Sequence, residues 1–281
     1  MVSAGRSSVS DLLVDELQAH GGRVSVVRAD LSSLQSVAEA SGAVIDLVRS
    51  DGLPPIRGLV CNAGVQHTNA LTETVNGFES TFAVNVLANH VLVRKLEHHL
   101  HPQARVVVTV SDTHFGDFRH NLGMVPGPRW QPVETLARVG AFPDPASTRA
   151  GRTAYSTSKL AAIYLVHEYA RRLPATWTIA GYNPGFVPGT DLARDADSVS
   201  RFAMRWIMPL MTLTPFATSL RKAGWFLADA ALGVIEAPSG AYIDRHEVAR
   251  SSPESYDPQR EQNTWDAVEA LTAGFIHLTR P

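Results

Sequence analysis

Short apolar runs alternate with helical stretches along almost the whole chain, and this alternation restricts the fold more than any other feature. Arg23–Arg28, Ile56–Cys61, Arg105–Ser111, Trp177–Asn183 and a short run at Ala241–Asp244 read as strands. Helical spacing occupies Ser8–Ala19, Ser32–Val48, Phe78–Leu100, Thr153–Leu173, Ala217–Ala230 and Pro258–Thr272. Strands that alternate with helices are joined by crossovers, so they lie parallel in a sheet with both faces covered. The expected fold class is therefore α/β, a doubly wound parallel sheet flanked by helices. A chain of 281 residues of this type commonly remains a single domain, here 1–281. No internal repeat or low-complexity tract interrupts it.

Within the Thr153–Leu173 segment, Tyr155 and Lys159 stand four residues apart and so share one helix face. A phenol with a pKa of about 10 is a poor proton shuttle at neutral pH, and lowering it roughly three units takes about 4 kcal/mol. A cation a few ångströms away in a partly desolvated pocket supplies much of that. Alone, the spacing is common on exposed helices and carries little. Its weight comes from the surrounding strand ends: Asn62-Ala63-Gly64 after one apolar run, Ser111 closing the next, and Pro184-Gly185 closing a third.

The order of strand with Asn62-Ala63-Gly64, helix with Asn85, strand with Ser111, helix with Tyr155 and Lys159, then strand with Pro184-Gly185 resembles the short-chain dehydrogenase/reductase family. The resemblance covers nearly the whole chain. The Ser111-Asp112-Thr113-His114 strand end, the insert 116–152 and the Pro184–Thr190 loop are most similar to its retinol dehydrogenase-like and protochlorophyllide reductase-like branch. It implies a Rossmann-like sheet and an oxidoreductase that moves a hydride between NADP(H) and the carbonyl or alcohol of a hydrophobic small molecule.

The same resemblance implies individual roles. Tyr155 is the general acid/base, Lys159 lowers its pKa and holds the nicotinamide ribose, and Ser111 hydrogen-bonds the substrate oxygen. That position suits Ser111, because open α/β sheets bind ligands at the carboxyl ends of their strands. Asp112 and Thr113 are alternatives to Ser111, and the acid at Asp112 crowds the substrate oxygen. Asn85 completes a proton relay, or is a structural residue at a helix kink. Asp30, with Leu31 beside it, matches the position that binds the adenine amino group; Asp30 is also placed to cap the following helix. Asn62, Ala63 and Gly64 let the adenosine ribose approach closely. Pro184 and Gly185 lie under the nicotinamide, and Thr190 contacts its carboxamide or the pyrophosphate. Arg6 matches the basic residue that accommodates a 2′-phosphate, which favours NADP over NAD. Residues 186–222 form the substrate lid, and homodimers or tetramers are the family's usual assemblies.

One departure stands out. Members of the family open with a strand, a Gly-rich turn and a helix, whereas this chain starts at Met1-Val2-Ser3 and carries no G-x-x-x-G-x-G before Asn62. The expectation is an N-terminally truncated chain that lacks the helix N-terminus for the pyrophosphate. It would bind nicotinamide nucleotides poorly, with a gap between Met1–Ala4 and the strand ending at Asn62. A non-catalytic or cofactor-deficient protein is thus the alternative function.

The remaining features are read without special chemistry. A net charge of -2 gives no electrostatic case for nucleic acid or an anionic membrane. Cys61 reads as a small core residue. His98, His99 and His101 lack a paired carboxylate and read as a solvated helix end rather than a metal site. No run approaches the roughly 18 apolar residues of a membrane span, and a cytoplasmic protein is expected. The apolar stretch 202–216 reads as lid lining, ahead of membrane contact. Sugar-nucleotide epimerases share the Tyr/Lys spacing but carry a longer C-terminal domain.

Overall fold

The computed structural model describes residues 2–4, 16–19, 24–50, 52–121, 123–188 and 217–277. Arg6, Thr190, the apolar stretch 202–216 and most of the expected Ser8–Ala19 helix lie outside the described residues, although residues 16–19 are helical. The strands are β1 (Val2–Ala4), β2 (Ser25–Val27), β3 (Ile56–Cys61), β4 (Leu100–Thr109), β5 (Thr178–Asn183), β6 (Ala241–Asp244) and β7 (Glu247–Ala249). The helices are α1 (Leu34–Ser50), α2 (Ser80–Phe82), α3 (Ala88–Leu96), α4 (Phe118–Asn121), α5 (Val133–Leu136), α6 (Thr148–Arg172), α7 (Leu220–Leu232) and α8 (Pro258–Ile276).

Strands β3 to β7 form one sheet in chain order, parallel as far as β6. The sheet is mixed rather than wholly parallel. A two-residue turn at Arg245-His246 pairs Asp244 with Glu247 and folds β7 back antiparallel on β6. Arg245 takes φ 55° to make it, the left-handed backbone that such tight hairpins demand. Strands β1 and β2 pair in parallel with each other, in a separate two-stranded sheet. The division falls where the sequence leaves its gap, so β3 is an edge strand among the described residues. Val60 on β3 is 38% exposed and Val26 on β2 37%.

Two apolar layers sandwich the larger sheet. Successive residues of β4 point to opposite faces, and Val106, Val107 and Val108 are all at most 3% exposed. Val106 and Val108 join the core made with α1, α3, α6 and α8. Val107 packs with Ala180, Tyr182 and Ile243 against Ala230 and Phe226 of α7. Covering both faces explains why these strands show no polar alternation in sequence.

Helix α6 starts where the Ser147 hydroxyl caps the Ala150 N–H and is buried on all sides from Thr153 to Tyr169. The sheet lies on one side and α8 on the other. His90 of α3 links these helices, with Nδ1 at 2.8 Å from the Tyr169 hydroxyl and Nε2 at 3.0 Å from Glu269 of α8. The expected single helix Phe78–Leu100 is interrupted by a π turn at Ala83–Leu87 and ends at His99, because Leu100 already pairs with Ile56 of β3.

The two sides of the sheet should respond differently to truncation. Ile179→Ala, in β5 at 1% exposure, should cost about 2–5 kcal/mol in urea unfolding. Val60→Ala on the open edge should cost less than about 1 kcal/mol. Equal losses would mean that β3 is covered.

Candidate active site

The carboxyl end of β4 gathers the site. Val110 N donates to Tyr182 O at 2.8 Å, which keeps the chain aligned with β5 one residue past the strand. Ser111 then caps a 3-10 turn at Asp112–Phe115, its Oγ accepting from Thr113 N at 3.3 Å. Helix α6 crosses this strand end and brings in Tyr155 and Lys159, which are 5% and 2% exposed. The Lys159 ammonium lies 5.6 Å from the Tyr155 ring centroid and donates to Thr109 O at 2.9 Å. The Ser111 side chain lies near enough to the Tyr155 hydroxyl to favour its ionised form.

Burial dominates the electrostatics of both groups. Burial raises the Tyr155 phenol above its ordinary value; Ser111 opposes this and the Asp112 charge adds to it. Burial lowers the Lys159 pKa to about 8, so it remains mostly charged at pH 7.

Asn85 occupies the π turn, a distortion frequent at functional sites. Its Oδ1 accepts from Val65 N at 2.8 Å, and its Nδ2 donates to Val65 O at 3.0 Å and to Ser158 Oγ at 2.9 Å. Its own carbonyl accepts from Asn89 Nδ2 at 2.9 Å. The side chain is thus a brace between the loop after β3 and helix α6. A Cβ on Gly64 would meet Asn85 Oδ1 at 3.2 Å and Lys159 Nζ at 3.3 Å. Asn62 and Ala63 are exposed, and Asn62 Oδ1 accepts from Thr109 Oγ1 at 2.9 Å.

Pro184 and Gly185 follow β5 beside this group. Gly185 has φ 72°, and a Cβ there would lie 2.8 Å from Arg245 Nε. Asp30 and Leu31 follow β2 of the separate sheet. Asp30 Oδ1 accepts from Ser32 N at 2.9 Å and from Ser32 Oγ at 2.7 Å, so its carboxylate shapes the entry into α1. Leu31 packs against the main core.

The family model for short chain dehydrogenases matches residues 1–121. Short-chain dehydrogenase iccH of Talaromyces variabilis is 26% identical, over 84% of this chain and 76% of its own. Protochlorophyllide reductase B of Oryza sativa subsp. japonica is 27% identical, over 91% of this chain and 66% of its own. The chain spans only 56–62% of several other relatives. A metagenomic blue fluorescent protein solved with NADPH shares the fold, with a TM-score of 0.56 and 21% identity over 86% of this chain and 84% of that one. In sequence and fold this chain is similar to short-chain dehydrogenases and reductases.

Several residues of this site were not evident in the sequence. Asn183 Oδ1 accepts from Asp112 N at 3.2 Å and from Gly185 N at 3.1 Å, while its Nδ2 donates to Asp244 at 2.9 Å. It ties the ends of β4, β5 and β6 together; its one signal is a polar residue ending an apolar strand just before Pro-Gly. Arg245, Asn89 and Ser158 carried no signal, because their partners are remote or lie within ordinary helix. His114 holds the Ser111 turn from the other side. Its Nδ1 faces the Ser111 carbonyl and its Nε2 accepts from Ser252 N at 3.0 Å, so Nδ1 bears the proton and donates.

Burial lowers the His114 pKa from 6.5 to about 4. The folded protein therefore binds fewer protons than the unfolded chain between those values, and stability falls as pH drops through the window. His114→Gln should remove that fall, up to about 3 kcal/mol between pH 6.5 and 4. Urea titrations of both proteins across this range check it; parallel curves would contradict a buried neutral His114.

Proposed function

We propose that the protein is an NADP(H)-dependent oxidoreductase acting on a carbonyl or alcohol group of a hydrophobic small molecule. The observation that carries this reading is the convergence of Ser111, Tyr155 and Lys159 at the carboxyl end of β4, with Pro184-Gly185 alongside. A nicotinamide nucleotide would supply the hydride. The residues on this side fit it: Lys159 is a buried ammonium joined by no salt bridge to a carboxylate among the described residues, and the backbone at Gly64 and Gly185 is bare. The reductases and the NADPH-bound protein of similar fold support the same reading.

Each side chain then has a definable task. Tyr155 gives its proton to the substrate oxygen as the carbonyl carbon is reduced, and takes it back in the oxidative direction. Ser111 holds that oxygen beside the Tyr155 hydroxyl. Lys159 keeps a positive charge within the water-poor pocket and would hold the ribose. Asn85 fixes the loop after Asn62-Ala63-Gly64 relative to α6. Arg6, which would receive the 2′-phosphate, is the basis for preferring NADP. Asp30 and Leu31 would meet the adenine, and Thr190 the carboxamide or pyrophosphate.

A second reading, a protein that keeps the fold without nucleotide affinity, is favoured by the edge position of β3 among the described residues. Nucleotide titration separates the two. The first expects saturable NADPH binding to the 281-residue protein, tighter than NADH by about 1.5–3 kcal/mol, with the difference lost in Arg6→Ala. No binding of either nucleotide supports the second. For the chemistry, Tyr155→Phe should lower reduction of 4-nitrobenzaldehyde by at least about 10² with NADPH affinity retained. A variant keeping more than about a tenth of the rate would remove Tyr155 as the acid.

A further inference from the structure

We infer that Asp112 is a positioning residue for this chemistry, its carboxyl group deciding through the Ser111 hydroxyl whether Ser111 donates a hydrogen bond to the substrate oxygen. The inference rests on the oxidoreductase reading above.

Ser111 has one proton and two acceptor sites. One acceptor site takes Thr113 N. The proton faces Asp112 Oδ1 at 3.4 Å, long for an O–H···O contact and so easily exchanged for a better acceptor. On its other side Ser111 meets Tyr155. Asp112 is fixed from behind, its N–H donating to Asn183 Oδ1. Groups from four other elements act on its carboxyl group: Asp244 and the Tyr242 phenol from β6, Arg245 from the β6–β7 turn, His120 from α4 and Tyr155 from α6. Arg245 is already paired with Asp244 at 3.3 Å. Asp112 is thus left without a salt bridge among the described residues, against one like charge and at the edge of the reacting group.

The consequence follows from counting protons. A charged Asp112 draws the Ser111 proton toward itself, so Ser111 turns a lone pair to an incoming carbonyl oxygen and Tyr155 is the sole donor. A protonated Asp112 donates to Ser111 Oγ, which frees the Ser111 proton for the substrate oxygen. Two donors then meet the negative charge that develops there. Burial, followed by the Asp244 charge, raises the Asp112 pKa to about 6, so the exchange falls in a range where enzymes are assayed. Reduction should therefore weaken as pH rises through this value.

Two measurements test this. The first needs no cofactor: the 13C carboxyl resonance of Asp112, assigned by its absence in Asp112→Asn, is titrated in the wild type and in Ser111→Ala. A midpoint near 6 that moves upward when the Ser111 hydroxyl is removed is expected. A midpoint near the ordinary 4, or one unmoved in Ser111→Ala, overturns the coupling. The second is NADPH-linked reduction of 4-nitrobenzaldehyde between pH 5.5 and 7.5. Wild-type kcat/KM should fall about tenfold or more across this range, and the Asp112→Asn profile should be flat, because an amide donates to Ser111 at every pH. An Asp112→Asn profile with the wild-type slope overturns the inference. A wild-type protein that binds no NADPH and reduces no aldehyde instead overturns the oxidoreductase reading, and the carboxyl titration still decides the coupling by itself.

Discussion

A buried ammonium group organises this molecule. Lys159 lies inside the protein on α6, where a charge without compensation is costly, and the Thr109 carbonyl at the end of β4 accepts from it. That contact fixes the rotation and height of the longest helix against the sheet. With α6 so placed, Tyr155 one turn earlier lies close to Ser111, two residues past the end of β4. The π turn serves the same end. It swings Asn85 toward Val65 and Ser158, so the loop after β3 is held where it leaves Lys159 its place next to Gly64.

Asn183 supplies the complementary constraint from below. Parallel strands end in unpaired backbone groups, and one buried amide answers two of them, the N–H groups of Asp112 and Gly185, while it donates to the Asp244 carboxylate. The strand ends therefore form a single polar platform. Its two titratable members shift in opposite directions: burial pushes Asp112 up and His114 down. Stability falls with rising pH because of the first group and with falling pH because of the second. Their effects partly cancel in the intact protein, and single substitutions are needed to see either.

Much of this was legible in the sequence because the chemistry sits where a regular pattern stops. Apolar runs end on Asn62-Ala63-Gly64, Ser111 and Pro184-Gly185, and Tyr155 and Lys159 share a helix face by spacing alone. What escaped was either non-local or too short. Strand β7 has three exposed residues and no apolar periodicity to announce it. The bracing by Asn183 and Arg245 depends on partners from other strands. Proximity along a helix also does not reveal how deeply Tyr155 and Lys159 are buried, which raises the first pKa and lowers the second.

The central claim is that a hydride reaches a carbonyl carbon held beside Tyr155 and Ser111. The most direct measurement uses NADPH carrying deuterium at one or the other face of nicotinamide carbon 4, with 4-nitrobenzaldehyde as acceptor and mass spectrometry of the alcohol. The account predicts that one of the two labelled nucleotides places a deuterium on the carbinol carbon and the other does not. An alcohol free of deuterium from both, or no alcohol at all, would contradict it.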